Sequence, residues 1–195
     1  MRRPGRARWA LVGVGVAAVL VVGGVVLAQR ADAPVLLDPA DFTGVTEVQE
    51  PGRGQVPGTS WCVQLEESVR IHKGDPATKL ALEDGVVGAA VLSAPGSSSG
   101  AAGLIRAAEQ QAIACVESDL TAQGYAIEPL DGLEDGALGW RFRDVDGGSG
   151  ELVLTPLDES RLLVVGQSAA ASRLPAELDD LLARAIEGAD RVGES

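Results

Sequence analysis

Residues 9–28 are twenty consecutive positions without a charge, and they stand directly behind four arginines, Arg2, Arg3, Arg6 and Arg8. As a helix, at 1.5 Å per residue, that run reaches about 30 Å, the thickness of a bilayer's hydrocarbon core. Such a segment withdraws itself from any globular core and dictates on which side of a membrane the rest of the chain folds. Basic flanks stay cytoplasmic. The expected topology is therefore a cytoplasmic basic tail over 1–8, a transmembrane anchor over 9–28 and an extracytoplasmic remainder. The rival reading is a cleaved signal peptide, with loose small-x-small sites at Val26-Leu27-Ala28 and Ala31-Asp32-Ala33, which would leave a secreted domain. The run is longer than the roughly 7–15 residues of a signal's apolar region, which favours the anchor. No cysteine closes the run, so the pattern for a lipid-modified terminus is not met, and Pro4-Gly5 after Arg2-Arg3 departs from a twin-arginine export signal.

Residues 1–30 contain five arginines and no acid, so the remainder is five units more negative than the whole chain's −12. An acidic field of that size repels nucleic acid and anionic lipid surfaces, and no nucleic-acid partner is expected. Acid for solubility is the simpler reading than a dedicated site for basic ligands. The chain has no Asn and only two Lys, Lys73 and Lys79, among abundant Ala, Gly, Val and Arg, a bias associated with high-GC bacterial genomes. About 160 exported residues suffice for one core and are too few for two ordinary domains. Cys62 and Cys115 are the only cysteines, and an even count outside the cytoplasm reads as a disulfide.

Along the exported part, 29–60 reads as linker, broken by Pro34, Pro51 and Pro57 and interrupted by one short helix that Asp38 caps with Pro39 at its first position. The globular domain is placed at 61–195, with its core beginning as early as 35. Alternation makes 61–66 a strand with Trp61, Val63 and Leu65 on one face and Cys62 on the other. A turn-rich stretch over 72–84 precedes a doubly buried strand at 86–92. A helix over about 101–122 carries Leu104, Ile105, Ala108, Ala112, Cys115, Val116 and Leu120 at helical spacing, with Gly124 to end it. Further strands are expected at 125–129, 138–145, 151–155 and 161–165, the last three as an antiparallel meander around the hairpin turn 146–150. Trp140 and Phe142 alternate there with Arg141 and Arg143. A final helix over 175–192 is striped with Leu178, Leu181, Leu182, Ala185 and Ile186. The expected class is α+β: an antiparallel sheet of five or six strands with two main helices packed on it, behind one transmembrane helix.

Gly96-Ser97-Ser98-Ser99-Gly100 matches the G-x-S-x-G nucleophile elbow and sits between a strand and a helix. In that architecture the histidine follows the serine, whereas His72, the only histidine, precedes it, and hairpins replace the parallel crossovers the fold needs. A helix-capping loop is the better reading, and a small serine hydrolase acting through Ser98 stands a distant third among functions. Amides at the start of that helix can still hold an anion, which makes Ser98 and Ser99 candidate ligand contacts. Asp144, Asp146 and Glu151 resemble a calcium loop, but Gly148 and Ser149 occupy positions that the loop requires otherwise. Glu128, Asp131, Glu134 and Asp135 read as a solvated acidic loop, and His72 as a loop histidine with pH-sensing potential. Two cysteines and one distant histidine do not make a metal set, so neither metal nor cofactor is expected. Trp61 and Trp140 read first as core and second as a ligand platform.

The order of a Leu36-Leu37-Asp38-Pro39-Ala40-Asp41-Phe42 opening, a Trp–Cys strand, a long Cys-bearing helix, a meander and a final amphipathic helix resembles the sensor-like extracytoplasmic domains of actinobacteria. Among these are the extracellular domains of some mycobacterial receptor Ser/Thr kinases and free-standing anchored relatives. The resemblance implies binding of a small envelope ligand, or of another envelope protein, without catalysis. With only about eight residues on the cytoplasmic side, any inward signal would pass through a membrane partner. The alternative class is a structural interaction protein of a membrane or cell-wall assembly.

Overall fold

Successive side chains of a β-strand fall on opposite faces, so a strand apolar at every position has to be covered twice. Two segments have that character, and they lie side by side at the centre of the sheet. The computed structural model describes residues 35–49, 62, 69–93, 100–117 and 124–193. Within these, seven strands, β1 (Val45–Gln49), β2 (Ala77–Leu82), β3 (Val86–Ser93), β4 (Ala126–Pro129), β5 (Leu138–Arg143), β6 (Ser149–Pro156) and β7 (Arg161–Ala169), form one sheet in the order β1-β2-β3-β7-β6-β5-β4. Every neighbouring pair is antiparallel. In the central pair, Ala90, Leu92, Leu162 and Val164 face one side, and Val87, Ala89, Val91, Leu163 and Val165 face the other.

Two helices answer that double demand. Helix α1 (Gly100–Glu117) covers the first face through Ala101, Ala108, Ala112 and Cys115, small side chains that let it lie close to the strands. Helix α2 (Leu178–Gly193) covers the second through Leu181, Ala185, Gly188 and Ala189. The α1 layer also takes Trp140, Phe142, Leu152 and Leu154 from β5 and β6. Phe142 lies opposite Gly150, where a Cβ would overlap its ring, so the aromatic occupies space that only glycine leaves. Cys62 and Cys115 are bonded across a Cα–Cα distance of 6.1 Å, which fastens α1 to a point 53 residues earlier in the chain.

The N-terminal opening belongs to the core and not to a linker. Leu36 and Leu37 are fully buried on the α2 side, and the Leu36 amide donates to Thr78 Oγ1 at 3.2 Å. Gly188 is where this segment crosses the helix: a Cβ there would overlap the Leu36 carbonyl oxygen. Asp38 accepts from the Ala40 amide at 2.9 Å and caps a one-turn 3-10 helix, Pro39–Asp41, as the sequence implies. Asp41 then pairs with Arg184 of α2 at 3.1 Å, and the same guanidinium stands 5.7 Å from the Phe42 ring centroid.

The α+β class and the two helices hold, while the strand number is corrected from five or six to seven. Strand β1 lies inside the stretch read as linker, and β2 inside the stretch read as turns. Neither carries a strong local signal: β1 is largely exposed, and β2 pairs β1 on one side and β3 on the other. The strand expected at 61–66 lies outside the described residues except for Cys62. The final helix begins at Leu178, three residues after the expected Pro175, because 170–177 folds back across the sheet. The anchor at 9–28 also lies outside the described residues, among which no helix is long and apolar enough to cross a membrane.

Candidate functional site

On β5 the aromatic residues point to α1, so Arg141 and Arg143 necessarily point to the opposite face. Helix α2 does not cover this end of the sheet. Antiparallel register then sets Arg141 opposite Glu151 on β6, and Glu151 opposite Gln167 on β7. Three polar side chains from three adjacent strands thus form one row on one face.

Glu151 is only 3% exposed, and a carboxylate at that depth needs its oxygens occupied. Its Oε1 accepts from Arg141 Nε at 2.8 Å and Nη2 at 2.6 Å. Its Oε2 accepts from Gln167 Nε2 at 2.9 Å. The buried Gln167 spends the rest of its amide on the backbone of Ala176, donating to the carbonyl at 3.0 Å and accepting from the N–H at 3.1 Å. Ser149, at the start of β6, donates through Oγ to the Ala171 carbonyl at 2.8 Å. The segment 170–177 is therefore a strap fastened to the sheet near both ends, at Ala171 by Ser149 and at Ala176 by Gln167.

Between strap and sheet lies a cavity of about 580 Å³, within the range that takes a small-molecule ligand. Arg141, Arg143, Ser149 and Glu151 form its floor, and the strap with the first residues of α2 forms its wall, including Ser172, Arg173 and Glu177. Three of the eleven Lys and Arg residues beyond position 30 meet at this one place. Arg141 is held by Glu151 yet keeps 46% of its side chain exposed. Among the described residues, Arg143 and Arg173 enter no ion pair. A second, more apolar groove of about 270 Å³ runs between the 132–137 loop, β6 and α2, lined by Leu133, Val153, Leu182 and Ile186 among others.

The candidates read from sequence fall elsewhere. Trp140 is 7% exposed and packed in the α1 layer, so the sheet itself separates it from the cleft. Trp61, Ser98 and Ser99 lie outside the described residues. Asp144 Oδ1 accepts from the amides of Asp146 at 2.9 Å and Gly148 at 2.7 Å, which closes the hairpin turn. The His72 amide donates to Asp75 Oδ2 at 2.8 Å in an exposed loop. Among the described residues no cluster of His, Cys, Asp and Glu is arranged to hold a metal ion. In the β6–β7 turn, the Arg161 guanidinium, at 2.6 Å, and then Ser160 hold the Asp158 carboxyl well below the usual carboxylate range.

The sequence pattern singled out neither Gln167, Ser149 nor Arg173 as a site residue, and Glu151 only as a ligand of a calcium loop whose pattern is not met. One signal was present: a Glu and a Gln interrupt the otherwise apolar strands ELVL and LLVVGQ at positions that share a face. Comparison with family models, with characterised proteins and with solved structures yields no match for this chain.

Proposed function

We propose that the chain is a single-pass, membrane-anchored extracytoplasmic binding or sensor-like module of the bacterial cell envelope, acting without catalysis, with the strapped cleft as its ligand-binding face. The observation that carries this reading is the way the cleft is built. A carboxylate and a carboxamide are buried on a sheet face, at a desolvation cost; the carboxylate orients Arg141 and the carboxamide, and the carboxamide fastens the strap that walls the cavity. Apolar side chains at 151 and 167 would stabilise the sheet more simply, so the polar row is best understood as support for a preorganised site. The charge-free run at 9–28 behind its arginines supports the anchor, and the paired cysteines suit an oxidising compartment. The resemblance to actinobacterial sensor-like domains fits the same role.

A second reading, a structural interaction protein of a membrane or cell-wall assembly, draws on the groove bordered by Leu133, Leu182 and Ile186. Two measurements test the first reading. Protease added to intact spheroplasts should remove the part beyond residue 30, and protection of that part would refute the topology. Capture from native membranes with the full chain should recover material that Ser172→Trp, which fills the cleft, no longer retains. Equal capture by the variant would move the binding face elsewhere.

A further inference from the structure

We infer that the cleft takes a small soluble ligand bearing carboxylate or phosphoryl groups, gripped by Arg143 and Arg173 with Arg141 as the fixed third contact. The inference rests on the cleft being the ligand-binding face and specifies what that face selects. Arg141 and Arg143 are two apart on one strand, so their Cα atoms are about 7 Å apart on the same face. Arg173 is carried by the strap, and all three line the same cavity. Arg141 already gives Nε and Nη2 to Glu151, so it is oriented and cannot collapse into the cleft. Among the described residues the other two guanidiniums have no acidic partner, although the exported part holds far more acids than bases. Planar guanidinium forks match carboxylate and phosphoryl oxygens in pairs, and such bonds are stronger inside a partly enclosed cavity than in open water.

The acidic groups nearby do not cancel this preference. Glu151 has both oxygens occupied by Arg141 and Gln167. Glu177 is exposed at the wall, and Glu128, opposite Arg141 on β4, forms no ion pair with it. The surrounding negative field works as a filter: it repels polyanions and anionic surfaces at a distance, while a compact anion that enters the cleft meets local positive charge.

The test is isothermal titration of the full-length chain in neutral detergent with citrate and with inorganic pyrophosphate at low ionic strength. Wild type should bind at least one of them saturably. Arg143→Gln and Arg173→Gln should each weaken it about tenfold or more, and the double variant should abolish it. Arg106→Gln, an exposed charge on α1 across the sheet, should bind as wild type does. Circular dichroism melts should show each variant folded. Absence of saturable binding with both probes, or an equal loss in Arg106→Gln, would overturn the inference. Binding only of short-chain phosphatidylglycerol doped into the micelles, dependent on the same arginines, would overturn the soluble ligand in favour of a lipid headgroup. If neither anion binds while Ser172→Trp still abolishes capture from native membranes, the binding-module reading stands and the oxyanion inference alone fails.

Discussion

Replacing Gln167 by leucine tests whether the polar row holds the strap, because leucine is of comparable size and has no amide to donate or accept. Three hydrogen bonds disappear: one to the Glu151 carboxylate and two to the Ala176 backbone. A neutral bond contributes about 1 kcal/mol and one to a charged group about 1.5–3 kcal/mol, so the gross loss is about 4 kcal/mol. Burying the new isobutyl group offsets about 1–2 kcal/mol of that. A net loss of about 2–3 kcal/mol follows, which for a domain of this size lowers Tm by about 5–10 °C. The assay pairs a near-ultraviolet circular dichroism melt with amide hydrogen exchange. Exchange should accelerate most across 170–177, whose attachment at Ala176 is gone, and least in β3 and β7 at the sheet centre. Glu151→Leu combined with Gln167→Leu should cost less than the two single changes added together, since no buried carboxylate remains and the half-exposed Arg141 can turn to water. A Tm change under about 2 °C with unaltered exchange at 170–177 would refute the role given to Gln167.

Three other outcomes follow from the fold. Gly188→Ala puts a methyl group against the Leu36 carbonyl and should destabilise by about 1–3 kcal/mol in urea unfolding, with extra exchange at Leu36 and Leu37; a neutral result would mean the opening segment is not seated on α2. Reducing the Cys62–Cys115 bond, 53 residues apart, should lower stability by about 4 kcal/mol in the chain-entropy treatment, read as a shift in the urea midpoint with and without a reductant. The Asp158 carboxyl, held low by Arg161 and Ser160, has a folded pKa below its unfolded one. Its contribution is therefore complete above the unfolded value and fades as pH falls below about 4 toward the folded one. Arg161→Ala should raise that carboxyl's titration midpoint toward the ordinary range in a carbon-13 nuclear magnetic resonance titration; an unchanged midpoint would dismiss the pairing.

Elements with strong local patterns were legible. The alternation of Trp140 and Phe142 against Arg141 and Arg143 identified β5 and its two faces, and the Leu178, Leu181, Ala185 stripe identified α2. Strands β1 and β2 were not legible. Val45–Gln49 has most of its side chains in solvent, and Ala77–Leu82 is poor in β-branched residues, so each depends on its sheet partners rather than on its own propensity. The cleft was hidden for a related reason. Arg141, Glu151 and Gln167 are separated by 10 and 16 residues along the chain, and only register brings them into one row.

Periodicity, composition and the cysteine count act over a few residues or over the chain as a whole, and they sufficed to determine the charge-free run, the α+β class, the meander, both helices and the expected bond between Cys62 and Cys115. Which strands sit side by side, and therefore which polar side chains meet, depends on pairing between distant segments, where shifting a strand by one residue turns every side chain to the other face. Tertiary structure alone decided that β3 and β7 lie at the centre and that Leu36 crosses α2 at Gly188. It also decided that a strap held by Gln167 and Ser149 brings its own Arg173 to the cleft lined by Arg141 and Arg143, because each of these facts is a contact between segments that no local pattern encodes.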